Sequence, residues 1–255
     1  MILQKKLSIC ADDFGITEKV NKVIIKLIEA KRITETSCMV ISDFFFEDAK
    51  QLIKYRNNIG IGIHLTLTDF IPLSMIKSLT NNGKLIGVTN LFIKSVFQNY
   101  SKSEIYKEIN LQLDKFEKAL GFKPDFIDGH HHIHQLPLIN NIIINIIKKR
   151  YPSNYPWIRN SNESFFRIFK RKTSIIKSIF LSIMGVKIKK LAIENSIKTN
   201  NGFSGIYNFS IDKDYGQLFK NFITDINSEH LIMVHPGEND EILSNIDSAN
   251  KSRNL

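Results

Sequence analysis

Apolar and small or polar residues alternate over 59–67. Ile59, Ile61, Ile63, Leu65 and Leu67 fall on one face, and Gly60, Gly62, His64 and Thr66 on the other. That two-residue period predicts a β-strand. A helical period appears elsewhere: Val20, Val23, Ile24, Leu27 and Ile28 recur on one face. Thr17 is the expected N-cap there, and Glu18 sits in the first turn, where the helix dipole favours an acid. Ile105, Ile109, Leu113, Phe116 and Leu120 trace a second such face. Ser101 and Glu104 precede it with capping-box spacing, and Gly121 is the expected stop. Shorter patterns predict helices over 45–55 and 138–147 and strands over 7–11, 36–41, 126–128, 157–159 and 231–234. From Pro72 to Ser101 the pattern lapses, and a loop is expected. Strands alternating with helices predict α/β architecture built from parallel β/α units.

Residues 161–200 depart from this order. Arg167, Lys170, Arg171, Lys172, Lys177, Lys187, Lys189 and Lys190 are interleaved with Phe165, Phe166, Phe169, Ile176, Phe180 and other apolar residues. We read a basic helical insertion that covers the active-site mouth, its apolar side chains facing the barrel and its long basic ones facing water. An amphipathic membrane-surface helix and a basic nucleic-acid patch are the alternatives.

Composition narrows the class. The 255 residues are 43% hydrophobic and 24% charged, as expected for a soluble chain with one sizeable core, and we expect a single domain over 1–255. No run of eighteen apolar residues occurs, so no membrane span is expected. The apolar run at 7–11 is too short for a signal-peptide core. Cys10 and Cys38 are expected to be buried free thiols on neighbouring strands, in keeping with a reducing cytoplasm. The net charge of +10 accompanies heavy use of Lys, Asn and Ile. We therefore read it as compositional rather than as the mark of an anionic partner.

The candidate chemistry centres on Asp128-Gly129-His130-His131-His132-Ile133-His134, where four imidazoles and a carboxylate fall within seven residues. Neutral imidazole is a common ligand of transition metals, so a metal site is expected. Asp12, Asp13, His64, His130 and His235 all stand at or near the carboxyl ends of expected strands, where β/α folds collect their functional groups. His64 shares its face with Gly60 and Gly62, which we expect to leave room beside its ring. A ligand in a cavity and a core histidine bonded to a carbonyl both fit that pattern.

Ala11-Asp12-Asp13-Phe14-Gly15, Gly62-Ile63-His64-Leu65-Thr66-Leu67-Thr68, the His cluster and His235-Pro236-Gly237 occur in this order. Together they resemble the motifs of the YdjC-like carbohydrate deacetylase family, which includes the chitooligosaccharide deacetylases. The resemblance implies an irregular, TIM-barrel-like (β/α) barrel that removes acetyl groups from N-acetylated sugars or oligosaccharides. It implies one divalent cation, magnesium by family, whereas the ligand types themselves favour zinc or another transition metal. Asp13, His64 and His130 would be the metal ligands, Asp12 the catalytic base and His235 a late active-site histidine, which we take as the general acid. His131, His132, His134 and Arg159 would orient ligands or touch the sugar. A cytoplasmic enzyme is implied, with a homodimer admitted and neither nucleic acid nor a membrane span involved. The family also continues past His-Pro-Gly into an Arg-containing helix, so a C-terminal helix is expected to be missing here. The alternatives kept open are another metal-dependent amidohydrolase, a non-haem iron oxygenase and a non-catalytic, metal-dependent carbohydrate-binding protein.

Overall fold

The computed structural model describes residues 7–208, 214–238, 241–246 and 253. Seven strands form one parallel sheet: β1 (Leu7–Phe14), β2 (Glu35–Cys38), β3 (Gly60–Leu65), β6 (Phe126–Gly129), β7 (Trp157–Ile158), β8 (Gly202–Ser204) and β9 (His230–Val234). Their order is β7-β6-β3-β2-β1-β9-β8. The expected barrel is an open, curled one among the described residues. Among the described residues no ladder joins the outer strands; β7 makes only a single parallel bridge, Ile158 to Thr199, to the segment that precedes β8. Next to that bridge Asn160 and Asn200 bond to each other's backbone, Asn160 Nδ2 donating to Asn200 O at 2.7 Å and Asn200 Nδ2 to Asn160 O at 2.9 Å. Side-chain amides there serve the backbone groups that a longer ladder would have paired.

Helices α1 (Glu18–Glu29), α2 (Asp43–Ile53), α4 (Lys102–Leu120) and α5 (Ile139–Arg150) follow strands as the periodicity predicts. Thr17 caps α1, its hydroxyl accepting from Val20 N, and Gly121 closes α4 at φ 79°. The capping box at Ser101 is only half formed. Ser101 Oγ accepts from Glu104 N at 3.3 Å, but the Glu104 carboxylate turns to Ser78 and accepts from its hydroxyl at 2.6 Å. The expected loop after Pro72 holds a two-residue hairpin, β4 (Thr80–Asn81) with β5 (Lys84–Leu85), and a further helix, α3 (Val88–Val96). That helix escaped the sequence pattern because it buries only Leu91 and Ser95 and leaves Ile93 and Val96 exposed.

The two faces of the sheet differ. Ala11, Ile63, Ile127 and Ile232 join the main core under the helices. Cys10, Phe126, Phe203, Leu231 and Met233 pack together on the inside of the curl. Gly62 belongs to that inner face, and the expectation of open space beside it is wrong. The Phe126 ring, stacked on Trp157 at 4.6 Å, occupies the place where a Gly62 side chain would stand.

The segment 161–200 forms α6 (Phe165–Arg171) and α7 (Ile175–Glu194), followed by α8 (Tyr215–Phe222) and α9 (Glu241–Ile246) later in the chain. Its expected polarity is overturned in large part. Phe165, Phe166, Phe169, Ile176, Ile183 and Val186 are exposed, while Arg171 is buried against Glu163 at 2.9 Å. The inward face of α7 is made largely of small residues, Ser178, Ser182, Gly185 and Ala192. A Cβ on Gly185 would clash with the backbone of Ser161 and Asn162. So close an approach excludes bulk, and much of the helix's large apolar content is left outside. No helix among the described residues is long and apolar enough to cross a membrane. The expectation of a missing C-terminal helix falls on residues outside the described set, apart from Arg253.

Candidate active site

Adjacent residues of a regular strand point to opposite faces, so Asp12 and Asp13 could not normally serve one site. An irregularity resolves this. The register of β1 on β2 shifts between Ala11 and Phe14, with Ala11 opposite Thr36 and Phe14 opposite Cys38. Three steps on β1 are thus set against two on β2, and Asp13 sits at φ 70°. A bulge of this kind re-aims side chains at a strand end, and Asp tolerates the left-handed region better than most residues. The turn beyond is held by Asn21, whose Oδ1 accepts from Gly15 N and whose Nδ2 donates to Asp48 at 2.8 Å. Both aspartates consequently line one pocket.

Asp13 Oδ1 lies 3.3 Å from His64 Nε2 and 3.3 Å from His130 Nδ1, yet makes no well-formed hydrogen bond to either. Its other oxygen accepts from Arg253 Nη2 at 2.5 Å. Burial works against the Asp13 charge, but Arg253 and the two imidazoles outweigh it and hold the carboxyl well below the usual range. Asp13, His64 and His130 each offer one donor atom, all within 4.8 Å of one another, which is the spread of ligands around a single ion. A buried carboxylate oxygen without a hydrogen bond, set between two imidazole nitrogens, fits a divalent cation, and the donor set is that of a transition metal.

Beneath these groups lies a carboxylate to which the sequence reading gave no role. Asp128, at the end of β6, binds His64 Nδ1 through Oδ1 at 2.7 Å, and the same oxygen accepts from Ser37 Oγ at 2.5 Å. The carboxylate fixes the ring so that Nε2 faces Asp13, as partners of metal-ligating histidines commonly do. Although burial opposes it, the Asp128 charge and hydrogen bond push the His64 pKa up to about 10. A cation and a proton therefore compete for His64 Nε2. Asp128 stood in plain view as a carboxylate at a strand end, the same signal that picked out Asp12 and Asp13.

Arg159 lies fully buried just after β7. Its Nη1 reaches Asp12 Oδ2 at 2.6 Å, and its Nη2 reaches Asp12 Oδ1 at 2.7 Å and Asp128 Oδ2 at 2.5 Å. Cys10 Sγ accepts from Nη2 at 3.0 Å and donates to Asp12 Oδ1 at 3.4 Å. Burial pushes the Cys10 pKa well up, so the group stays a thiol and can donate. Cys10, Asp12 and Asp128 also cluster closely enough to suggest a metal site, but the guanidinium already supplies their cation.

The four histidines separate at a chain reversal. They form a short 3₁₀ segment, His130–Gln135, in which His131 and His132 take φ of 54° and 57°. Two successive left-handed residues send their rings in different directions. His131 Nδ1 meets Thr68 Oγ1 at 3.0 Å and lies 3.5 Å from Asp69. His132 packs its ring edge-on against Phe203. Both line the pocket, whereas His134 does not: its Nε2 bonds to the Arg159 carbonyl at 3.1 Å. Burial, aided by His130, lowers the His131 pKa to about 3, and burial with His134 holds that of His132 well below its ordinary value. His134 falls to about 3 chiefly through burial, against the pull of Asp128.

The pocket measures about 370 Å³ and is also lined by Val88, Lys177, Phe180, Tyr207, Met233 and His235. His235 enters just beyond β9, as expected. Lys177 and Phe180 come from the segment expected to cover the mouth, though neither was singled out there for the pocket, and the sequence did not point to Arg253, which arrives from far along the chain. A larger cavity of about 650 Å³, beside Ser8, Glu35, Arg56 and Asp125 at the other end of the strands, contains none of the candidate residues.

Several known proteins are similar to this chain in sequence. The chain is 35% identical over 161 residues to a carbohydrate deacetylase of Brevibacillus brevis, the match covering 62% of each protein. It is 35% identical over 144 residues to a chitooligosaccharide deacetylase of Proteus mirabilis, covering 56% of each. The matched part therefore spans less than two thirds of both relatives. A carbohydrate deacetylase of Enterococcus faecalis is 30% identical over 192 residues, or 67% of this chain and 71% of that one. A crystal structure from Enterococcus faecalis V583, of a protein provisionally named for cellobiose-phosphate cleavage, superposes with a TM-score of 0.71 at 23% identity. The superposition covers 98% of this chain and 88% of that one; at that identity the likeness shows a shared fold. The family model described as YdjC-like protein matches residues 6–254, and this chain belongs to the YdjC-like family.

Proposed function

We propose that this chain is a metal-dependent hydrolase that removes acetyl groups from N-acetylated sugars or oligosaccharides. The observation that carries this reading is the meeting of Asp13, His64 and His130 at one pocket, with Asp13 Oδ1 left without a hydrogen bond between two imidazoles. Relatives named as carbohydrate and chitooligosaccharide deacetylases support the substrate class. The three residues would hold one divalent cation, with zinc or another transition metal favoured by the ligands and magnesium by the family resemblance. Such a cation would polarise an amide carbonyl and lower the pKa of a water molecule.

The protein groups divide the remaining work. Asp12 is the base that takes the proton of the attacking water, and it is not a ligand because Arg159 engages both of its oxygens. Arg159 and the Cys10 thiol hold that carboxylate in one orientation. His235 donates a proton to the departing amine nitrogen, so the reaction ends with a free amine and acetate. His131 and His132, kept neutral by burial, offer hydrogen bonds to the sugar, while Phe180 and Tyr207 offer it apolar faces. The buried thiols of Cys10 and Cys38 suit a reducing cytoplasm. Acetate release from a panel of N-acetylated mono- and oligosaccharides tests the proposal. Release that a chelator abolishes and a divalent ion restores is expected. Failure to release acetate from every member with each candidate metal supplied would refute it.

A further inference from the structure

Apart from the Phe180 face offered to the sugar, the cover made by α6 and α7 takes no part in the chemistry proposed above, yet its exposed surface is unlike the rest of the molecule. Ile176, Phe180, Ile183, Lys187 and Lys190 follow one another along α7 at spacings of four, three, four and three residues. They therefore form one stripe along the helix. All five are exposed, Ile176 at 85%. The neighbouring helix α6 adds Phe166, which is 70% exposed, together with Phe165 and Phe169. Across the pocket mouth, Phe92 of α3 meets Phe180 edge-on at 5.5 Å, and the exposed Ile93, Val96 and Phe97 lie in and just after α3. The charges on the cover are one-sided. Between Phe165 and Glu194 the only acid is Glu194, against lysines that include Lys172, Lys187, Lys189 and Lys190.

We infer that this face is a docking surface for an anionic lipid bilayer. Large apolar side chains beside lysines, on helices that do not span, have the composition that settles into the headgroup boundary of such a membrane. The lysines add attraction to acidic headgroups. A second copy of the chain is the poorer occupant, because its matching face would carry the same excess of lysine, whereas an acidic bilayer meets that charge with the opposite sign. The docked orientation follows from the residues that the stripe shares with the pocket. Phe180 lines both the pocket and an adjoining surface groove with Ile176 and Lys172, so the bilayer would lie beside the pocket mouth. A substrate at that mouth would be held close to the membrane surface.

The test is independent of the deacetylase reading, because it scores binding and not turnover. The full chain is sedimented at physiological salt with vesicles of phosphatidylcholine alone and of phosphatidylcholine mixed with phosphatidylserine. Binding to the mixed vesicles and little to the neutral ones is expected. A chain carrying Phe166→Ser, Ile176→Ser and Ile183→Ser, checked by thermal melting to be folded, should lose that binding. The pair Lys187→Gln and Lys190→Gln should weaken it roughly ten-fold or more, at about five-fold for each lysine near the surface. Absence of binding to acidic vesicles overturns the inference, as does equal binding to neutral ones or binding unaffected by the serine substitutions. A dimer that those same substitutions dissociate would assign the face to a second copy instead.

Discussion

At the carboxyl ends of the strands, charge is buried and partnered group by group: Arg159 spans Asp12 and Asp128, Asp128 holds His64, and Arg253 meets Asp13. On the outer face of α7 the reverse holds, with large apolar residues in water beside lysines that have few partners to orient them. Desolvated charges are costly unless paired, so the strand-end network tolerates almost no substitution without a penalty. Exposed apolar residues contribute little to folding, so the cover is free to carry a surface chosen for something other than stability. Substitutions in the two regions should therefore have opposite signatures. Those at the strand ends should alter chemistry and stability, and those on the outer face of the cover, away from Phe180, neither.

The largest effect should come from the paired aspartates. Asp12→Asn keeps its shape but cannot accept the water's proton, so metal should stay bound while kcat falls by roughly 10²- to 10⁴-fold. Asp13→Asn should instead lose metal and regain part of its activity at high metal concentration. Metal content and acetate release measured on both variants decide this, and the opposite pattern would exchange the two roles.

Arg159→Met leaves the Asp12 and Asp128 carboxylates buried without their cation. It should cost about 3–5 kcal/mol of folding stability, read from denaturant melts. A loss no larger than that of a surface arginine would mean that water reaches this network.

Asp128→Asn weakens the hold on His64 Nδ1 and should lower metal affinity by roughly 10- to 100-fold. Isothermal titration with zinc would show it, and unchanged affinity would remove Asp128 from the site.

The buried histidines predict an acid limb to stability. Burial holds His134 and His230 near a pKa of about 3, well below the ordinary value of about 6.5. Their contribution is complete above that ordinary value. As the pH falls, the unfolded chain binds protons that the folded one refuses, and stability declines toward the folded pKa. Melting temperature should therefore drop steadily as pH is lowered from about 6.5. His230→Gln should flatten part of that slope, and an unchanged slope would show that this histidine is not kept neutral.

The smallest effect belongs to the cover. Phe166→Ser or Ile183→Ser should change stability by no more than about 0.5 kcal/mol and leave metal content untouched. A loss of several kcal/mol would show that these side chains are buried in solution and would erase the contrast between the two regions.

Much of the frame could be read from local pattern. The alternation around Ile61 and Ile63 gave β3, the Thr17 cap gave the start of α1, and Gly121 gave the end of α4, because each signal is complete within a few residues. Helix α3 lacked such a signal, since its apolar residues do not form a buried stripe. The inner face of β3 was identified correctly, but what fills it was not, because Phe126 comes from another strand.

The sequence by itself determined which residues stand at strand ends, and therefore that Asp12, Asp13, His64, His130 and His235 would gather at one side of the sheet. Parallel strands share a direction, so this follows from local periodicity alone. The tertiary structure decided what each of them faces. The bulge that turns Asp13 depends on the register of β1 against β2, and the division of labour among four histidines depends on two left-handed residues. The partners of His64 and Asp12 come from β6 and from the residue after β7, far along the chain. On α7, composition announced large apolar residues, but the close approach at Gly185 to the 161–162 backbone left them outside. Periodicity records which face of an element is apolar, whereas the direction and partner of a side chain are set by contacts between distant segments.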